Sequence, residues 1–491
     1  MPKGKAAPAV RCRRWIAEFG EVFSTDGTIL FCTACETAVA SKKRYHVVQH
    51  VATKKHISSV NKKKVATPQL LADAFNGRSK GNEFYKDLCT AFLSADIPLW
   101  KLTNGDLRCF LEKYTKERVP DESTLWKRYV KECYEETLTK IRTEIGDNYV
   151  WVSVDESTDA SGRYVANFVV GALKLDEAPR PILLNTEALD KVNHSTIGRF
   201  FTASLELLWP GNIQYKKVLL FVSDGASYMC KAGKGLKVLY SKMIHVTCVV
   251  HAMHRVAEVI RYSFPEADAL ISNTKKVFLK APSRVAAFRE FAPGIPLPPQ
   301  PVLTRWGTWL SAAMYYSEHF RAVKAVLQEL PDDAVSVSAA RELFSNPEIE
   351  MDLAYISAHF SSLTASMTKL ETIGLPLTEA FKTLQHLRTA LRGLEGKGST
   401  APAKMELLIG KNSGLSTMFQ IGMILRGEEA DLEPEELSPR EISSFKFAPV
   451  TSCDVERSFS RYKALLRANR MSFKFENLKM SFIVSCYCGN V

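Results

Sequence analysis

The sequence predicts a multidomain α+β protein: an N-terminal zinc finger, a small helical domain, a mixed α/β core and a long all-helical stretch. Three observations lead there. A C-x2-C pair at Cys32 and Cys35 is followed by H-x5-H at His50 and His56. Five runs of β-branched and aromatic residues fall between Tyr149 and Val250, with helical spacing among them. From about residue 251 to 430 the apolar spacing is helical, with no convincing strand run. At 491 residues, 46% of them hydrophobic, the chain can bury several separate cores.

The finger comes first. Two thiolates and two imidazoles are a tetrahedral zinc set. His46, one helical turn before His50, competes for the same place, and the pattern favours His50 with His56. Trp15, Phe19, Phe23 and Phe31 are the expected small core, with the metal supplying much of the folding free energy. The net charge is +12, and residues 1–65 hold thirteen Lys or Arg against four acidic residues. A basic block with a finger embedded in it favours a nucleic-acid partner, since each neutralised phosphate releases counterions. Lys42, Lys43, Arg44, Lys54 and Lys55, flanking the histidines, are the candidate DNA contacts. No apolar run follows the basic N-terminus, and nowhere do about 18 uncharged apolar residues occur together. Neither secretion nor a membrane span is expected, so the eleven cysteines should stay reduced and close pairs read as metal ligands.

Residues 66–147 carry helical spacing at Phe84, Leu88, Phe92 and Leu93, then at Leu107, Phe110 and Leu111. The strand runs are Tyr149 to Val154, Tyr164 to Leu173, Ile182 to Leu184, Val218 to Val222 and His245 to Val250. Helices are expected over Ile197 to Leu208, from near Ala226, over Trp306 to Leu330 and over Ile356 to Leu394. Gly427 to Arg440, acidic and holding two prolines, reads as an exposed connection before a last helix, Glu456 to Leu466. The domain boundaries read from these changes are 1–65, 66–147, 148–262, 263–430 and 431–491.

Asp155 and Asp224 stand at or near the ends of the first and fourth strand runs, where a carboxylate is costly unless it meets a cation. A shared divalent ion accounts for both, and magnesium or manganese prefers such oxygen ligands. Phosphoryl transfer on DNA uses two metals held between carboxylates, and a third acid is needed to complete the set. Helix capping accounts for two strand-end aspartates equally well.

The succession WVSVDESTDASGRYVANFVVGAL, FVSDGASYM, HVTCVVHAMHRVAE, LTRWGTWLSAAMYY and FAPVTSCDVERSFSRYKALLRANR resembles the hAT transposase superfamily, collinear over nearly the whole chain. FCTAC, QHVATKKH and FLSADIPLWKLTNGDLRCFL resemble the CGG-triplet-repeat-binding proteins, with their BED-like finger. The resemblance implies a ribonuclease H-like catalytic domain interrupted by a large all-helical insertion. It also implies an acidic triad at Asp155, Asp224 and Glu456 holding Mg2+ or Mn2+, in preference to neighbouring Glu156 and Asp159. Glu456 fits a helix start with Ser452 available as its cap. Cys248 and His251, with His254 beyond, match the family's C-x2-H element near the active site. Trp306 matches the tryptophan that stacks on unpaired DNA, with Arg305 beside it for phosphate, whereas Trp309 fits helix core equally well. Glu441 to Leu478, with Phe459, Tyr462, Leu465 and Leu466, resembles a dimerisation segment, which implies a homo-oligomer. The activity implied is binding of double-stranded transposon ends, cleavage and strand transfer into target DNA in the nucleus. The alternative is a domesticated DNA-binding regulator that no longer cuts. No membrane or small-molecule partner is expected.

Overall fold

Three short strands and three helices lie around the CxxC pair in the first of two units. The computed structural model describes residues 7–20, 22–64, 83–302, 306–431, 437–466 and 474–489. One unit comprises residues 1–87 with 109–119, the other residues 88–108 with 120–491. In the first, a helix at Pro8–Phe19 precedes an antiparallel sheet of β1 (Phe23–Thr25), β2 (Leu30–Cys32) and β3 (Thr37–Val39). Helices at Arg44–Val51 and Lys54–Lys64 follow. The Asp26 carboxylate accepts from the backbone N–H groups of Thr28 and Ile29 and so shapes the β1–β2 turn, with Gly27 at φ +96°. Cys12, Trp15, Phe23, Leu30, Val39 and Val47 are buried together with the two CxxC thiols, and Phe19 packs at their margin. Phe31 is not part of this core, being 39% exposed. Strand alternation explains it: Leu30 and Cys32 point inward, so the residue between them points out.

The second unit is organised on five strands, β4 (Tyr149–Thr158), β5 (Tyr164–Leu173), β6 (Ile182–Leu189), β7 (Val218–Ser223) and β8 (Ile244–Thr247). Their order across the sheet is β6-β5-β4-β7-β8. The β4–β5 and β5–β6 pairs are antiparallel, and the β4–β7 and β7–β8 pairs are parallel. Both faces are covered, which is why these strands read as nearly continuous apolar runs. Val150, Val152 and Val154 pack on one face with Leu138 and Ile141 of helix Val130–Ile145, Phe201 of helix His194–Leu208 and Met229 of helix Ser227–Leu236. Trp151 points to the other face, where Val222, Val246 and helices Val249–Ser263 and Cys453–Leu465 join one large core.

Two expectations need correction. The last strand ends at Thr247, and Val249 and Val250 are already helical. A short apolar run looks the same whether it enters a buried strand or a buried helical turn. The expected stretch from Ile356 to Leu394 is two helices, Pro347–Leu370 and Leu377–Leu391, parted where Gly374 takes φ +75° and Pro376 follows. Helix Trp306–Glu329 is kinked at His319. No helix among the described residues is long and apolar enough to cross a membrane.

Gly171 faces Trp151 across β4 and β5. A Cβ there would come within 2.3 Å of the Trp151 indole nitrogen. Gly171→Ala is therefore expected to cost roughly 1–3 kcal/mol by overpacking the sheet. A lowered urea midpoint with unchanged slope is the readout, and an unchanged midpoint would show that the indole can give way.

Candidate functional site

The finger's four ligands converge. His56 Nδ1 lies 3.3 Å from Cys32 Sγ, 3.4 Å from Cys35 Sγ and 3.2 Å from His50 Nε2. All four ligand atoms fall within 4.8 Å of one another. Zinc bonds of about 2.3 Å to sulfur and 2.0–2.1 Å to nitrogen give tetrahedral edges of about 3.3–3.8 Å, so these spacings are the edges of a coordination tetrahedron. Burial, then the neighbouring His56 and Lys55, lowers the His50 imidazole, and burial lowers His56. Both rings are held neutral with a lone pair to give. Cys32, Cys35, His50 and His56 thus form a zinc-binding cluster, and exposed His46 is not part of it.

Of the basic residues beside the cluster, Lys42, Lys43, Lys54 and Lys55 are exposed and make no ion pair among the described residues. Arg44 is exposed too, but it pairs with Glu18 and lies over the Phe19 ring, so part of its charge is spent within the fold.

The acidic residues gather on the second unit's sheet. The parallel register sets Ser153 beside Val222; continued two residues on, it puts Asp155 of β4 level with Asp224, which lies just past the end of β7. Asp155 lies inside β4, beyond the point where β7 ends, so its edge is open. The Asp155 carboxyl is pushed up to about 8, by burial first and then by the Glu156 and Asp224 carboxylates. Burial also raises Asp224, against the Ala226 N–H, His251 and Arg255, which pull it down. Asp224 accepts that N–H at 3.2 Å, so its side chain does serve the turn into helix Ser227–Leu236.

Glu456 arrives on helix Cys453–Leu465, where His251 Nδ1 lies 3.7 Å from its carboxylate. Burial alone would depress His251, but the Cys248 thiol and the Glu456 and Asp155 carboxylates keep it protonated to about pH 10. Cys248 Sγ accepts from Ser452 N at 3.2 Å. Ser452 does not cap its helix: its hydroxyl lies 3.4 Å from His251 Nδ1. His254 accepts from Gly307 N, a packing role. Among the described residues, the finger alone brings three or more His, Cys, Asp or Glu ligand atoms within 4.8 Å, so the triad and the C-x2-H element are not closed to that distance. Burial is the first cause of the raised Asp155, and the neighbouring Glu156 and Asp224 carboxylates add to it. Three oxygen donors on a partly buried edge fit Mg2+ or Mn2+ in chemistry.

Neighbouring residues separate by role. Asp159 is taken up by Arg163, the Ser161 N–H and the Tyr462 hydroxyl. Glu156 takes a hydrogen bond from Tyr228. Trp309 is 2% exposed and donates to Asp268 at 2.9 Å, so it is helix core. Trp306 opens its helix, and its side chain, like all of Arg305, lies outside the described residues. Phe459, Tyr462, Leu465 and Leu466 are spent in the chain's own core instead of a free face.

Two residues escaped the sequence reading. Asn167, directly opposite Asp155 in the β4–β5 register, is fully buried; it donates to Ser458 at 2.8 Å and accepts from Thr186 at 2.7 Å. It fixes the turn of the helix that carries Glu456. A lone amide inside the run YVANFVVGAL was its signal. The other is Arg255, four residues after His251 on the same helix face.

Comparison with known families matches residues 8–62 to the CGGBP1 N-terminal domain and residues 120–277 to DUF659, a domain of unknown function found in hAT-type transposase-like proteins. The first match contains all four zinc ligands; the second contains β4 to β8 with Asp155 and Asp224, and stops before Glu456. CGG triplet repeat-binding protein 1 of Homo sapiens and that of Mus musculus are each 25% identical to this chain over 130 residues, 24% of this chain and 78% of the relative.

Proposed function

We propose that the chain is a hAT-type DNA transposase, in which a zinc finger and its basic arms hold transposon-end DNA and Asp155, Asp224 and Glu456 carry out cleavage and strand transfer in the nucleus. The observation that carries this reading is the placement of Asp155 on β4 and of Asp224 just past the end of the adjacent parallel strand β7, with Glu456 brought beside His251 from the C-terminal helix. The order β6-β5-β4-β7-β8, with β5 alone running antiparallel to the other four strands, supports a ribonuclease H-like domain interrupted by the helices of residues 263–430. The matched domains support the DNA-binding and transposase-related parts. We retain the five-domain division read from the sequence, with a homo-oligomer whose interface uses side chains other than the buried C-terminal ones.

Mg2+ or Mn2+ bound between the carboxylates would supply Lewis acidity at the scissile phosphate and lower the pKa of an attacking hydroxyl. Asp155 and Asp224 would hold it at the open strand edge. Glu456 would close the third side, oriented through Ser458 and Asn167. The second reading, a DNA-binding regulator that no longer cuts, is supported by one observation: the match to the CGGBP1 N-terminal domain covers residues 8–62, which hold the zinc ligands and none of the three acids.

Labelled duplex carrying the element's terminal repeats, incubated with Mg2+ or Mn2+, separates the two. The native chain is expected to cut at the ends, and Asp224→Asn to bind equally and cut about a thousandfold more slowly, the several kcal/mol of a lost metal ligand. Tight binding by the native chain with no product under either metal would install the regulator reading.

A further inference from the structure

We propose that Arg255 is a phosphate clamp of the acidic cleft, gripping the DNA strand whose phosphodiester is drawn toward Asp155, Asp224 and Glu456; this rests on the nucleic-acid reading above and adds the group that receives the anion. Arg255 lies on helix Val249–Ser263, which leaves the sheet from β8. His251 stands one helical turn before it, so the two residues share a face with their Cβ atoms about 5–6 Å apart. His251 is committed, lying 3.7 Å from the Glu456 carboxylate and 3.4 Å from the Ser452 hydroxyl. Arg255 is exposed and makes no hydrogen bond or ion pair among the described residues, although Asp224 is near enough to feel its charge.

An arginine this close to carboxylates ordinarily folds onto one of them in a bidentate pair. Here it does not. Each nearby acid has other work: Asp224 accepts the Ala226 N–H, and Glu456 faces His251. Once a divalent cation neutralises those acids, their pull on the guanidinium weakens further, and the five N–H donors of the exposed side chain are left for another anion. A phosphodiester is the anion whose two free oxygens match that fork while its ester oxygens approach the cation. A carboxylate ligand could pair with Arg255 but offers no bond for the cleft to break.

The test is binding of a labelled DNA duplex by the full-length chain over a range of salt concentrations, with Ca2+ in place of Mg2+ and again with no added divalent ion. With Ca2+, Arg255→Gln is expected to weaken binding about tenfold and to flatten the dependence of log K on log salt by about 0.9, the signature of one phosphate contact. Without a divalent ion the variant should match the native chain, because uncompensated carboxylates repel the strand. Arg255→Lys should keep the slope while losing part of the affinity, which separates lost charge from misfolding. Native binding by Arg255→Gln with Ca2+, or an equal loss with and without Ca2+, overturns the clamp. Cutting is read separately with Mg2+: a native chain that never cuts, yet shows the Ca2+-dependent effect at Arg255, keeps the clamp and loses the transposase reading.

Discussion

Stripping zinc with a chelator, or replacing Cys35 with Ser, unfolds residues 8–64 and leaves the five-stranded unit folded. The reason is the size of the finger's core. Eight apolar or thiol side chains are buried there, and two of them are the zinc-ligating cysteines. Such a core cannot offset the chain entropy of more than fifty residues. Structural zinc contributes about 10–16 kcal/mol in comparable fingers, so its loss exceeds any plausible residual stability. Limited proteolysis read by mass spectrometry checks this: cuts should appear between the finger's strands and helices on chelation and vanish when zinc is restored. Protection that persists without metal would mean that His56 and its neighbours are packed by apolar contacts alone. His46→Ala serves as the control and should keep full zinc content.

The second large effect is a loss of stability with rising pH in the five-stranded unit when no divalent ion is present. Asp155 and His251 both keep a proton in the folded protein that the unfolded chain has released. The folded value of Asp155 is about 8 against 3.8, and that of His251 about 10 against 6.5. For each, the stabilising contribution is complete below the unfolded value and is lost as pH rises through the folded one. The two windows overlap between pH 6.5 and 8. There each proton changes stability by about 1.4 kcal/mol per pH unit, less for His251, whose ring is 36% exposed and screened by solvent. His245 works in the opposite sense at the acid end, its imidazole lowered to about 4 by burial, so its contribution is lost below pH 6.5. Urea midpoints at pH 6 and pH 8, with zinc bound in the finger and no free divalent ion or chelator in the buffer, should fall with pH for the native chain. Asp155→Asn should remove about half of the fall and stabilise the protein at pH 8, and Mg2+ or Mn2+ should flatten it by taking the proton's place. A native pH slope in Asp155→Asn would mean that Asp155 titrates as an ordinary surface carboxyl.

The finger was legible because zinc dictates residue types and spacing, and both His56 and the CxxC pair needed only the chain's local order. Strands β4, β5 and β7 were legible for a related reason: a sheet covered on both faces writes long apolar runs. What local order could not supply was the meeting of distant segments. Asp155 and Asp224 could have been two caps until the parallel register placed them level. The commitment of His251 to Glu456 and of Asn167 to Ser458 joins residues hundreds of positions apart, which no window of sequence displays. Phe31 was misread because a three-residue strand turns its middle side chain outward, a parity that an aromatic count ignores.

The bond between Asn167 and Ser458 spans 291 positions, and this bears on the order in which the acidic edge is assembled. A ribosome finishes β4 and β7, and with them two of the three acids, long before it reaches the helix that carries the third. Until Cys453–Leu465 has been made and docked, Asn167 lacks its Ser458 partner and the sheet edge lacks Glu456. Closing so long a loop is also slow. Synthesis order and topology together make the three-acid arrangement the last part of the sheet's surroundings to be completed.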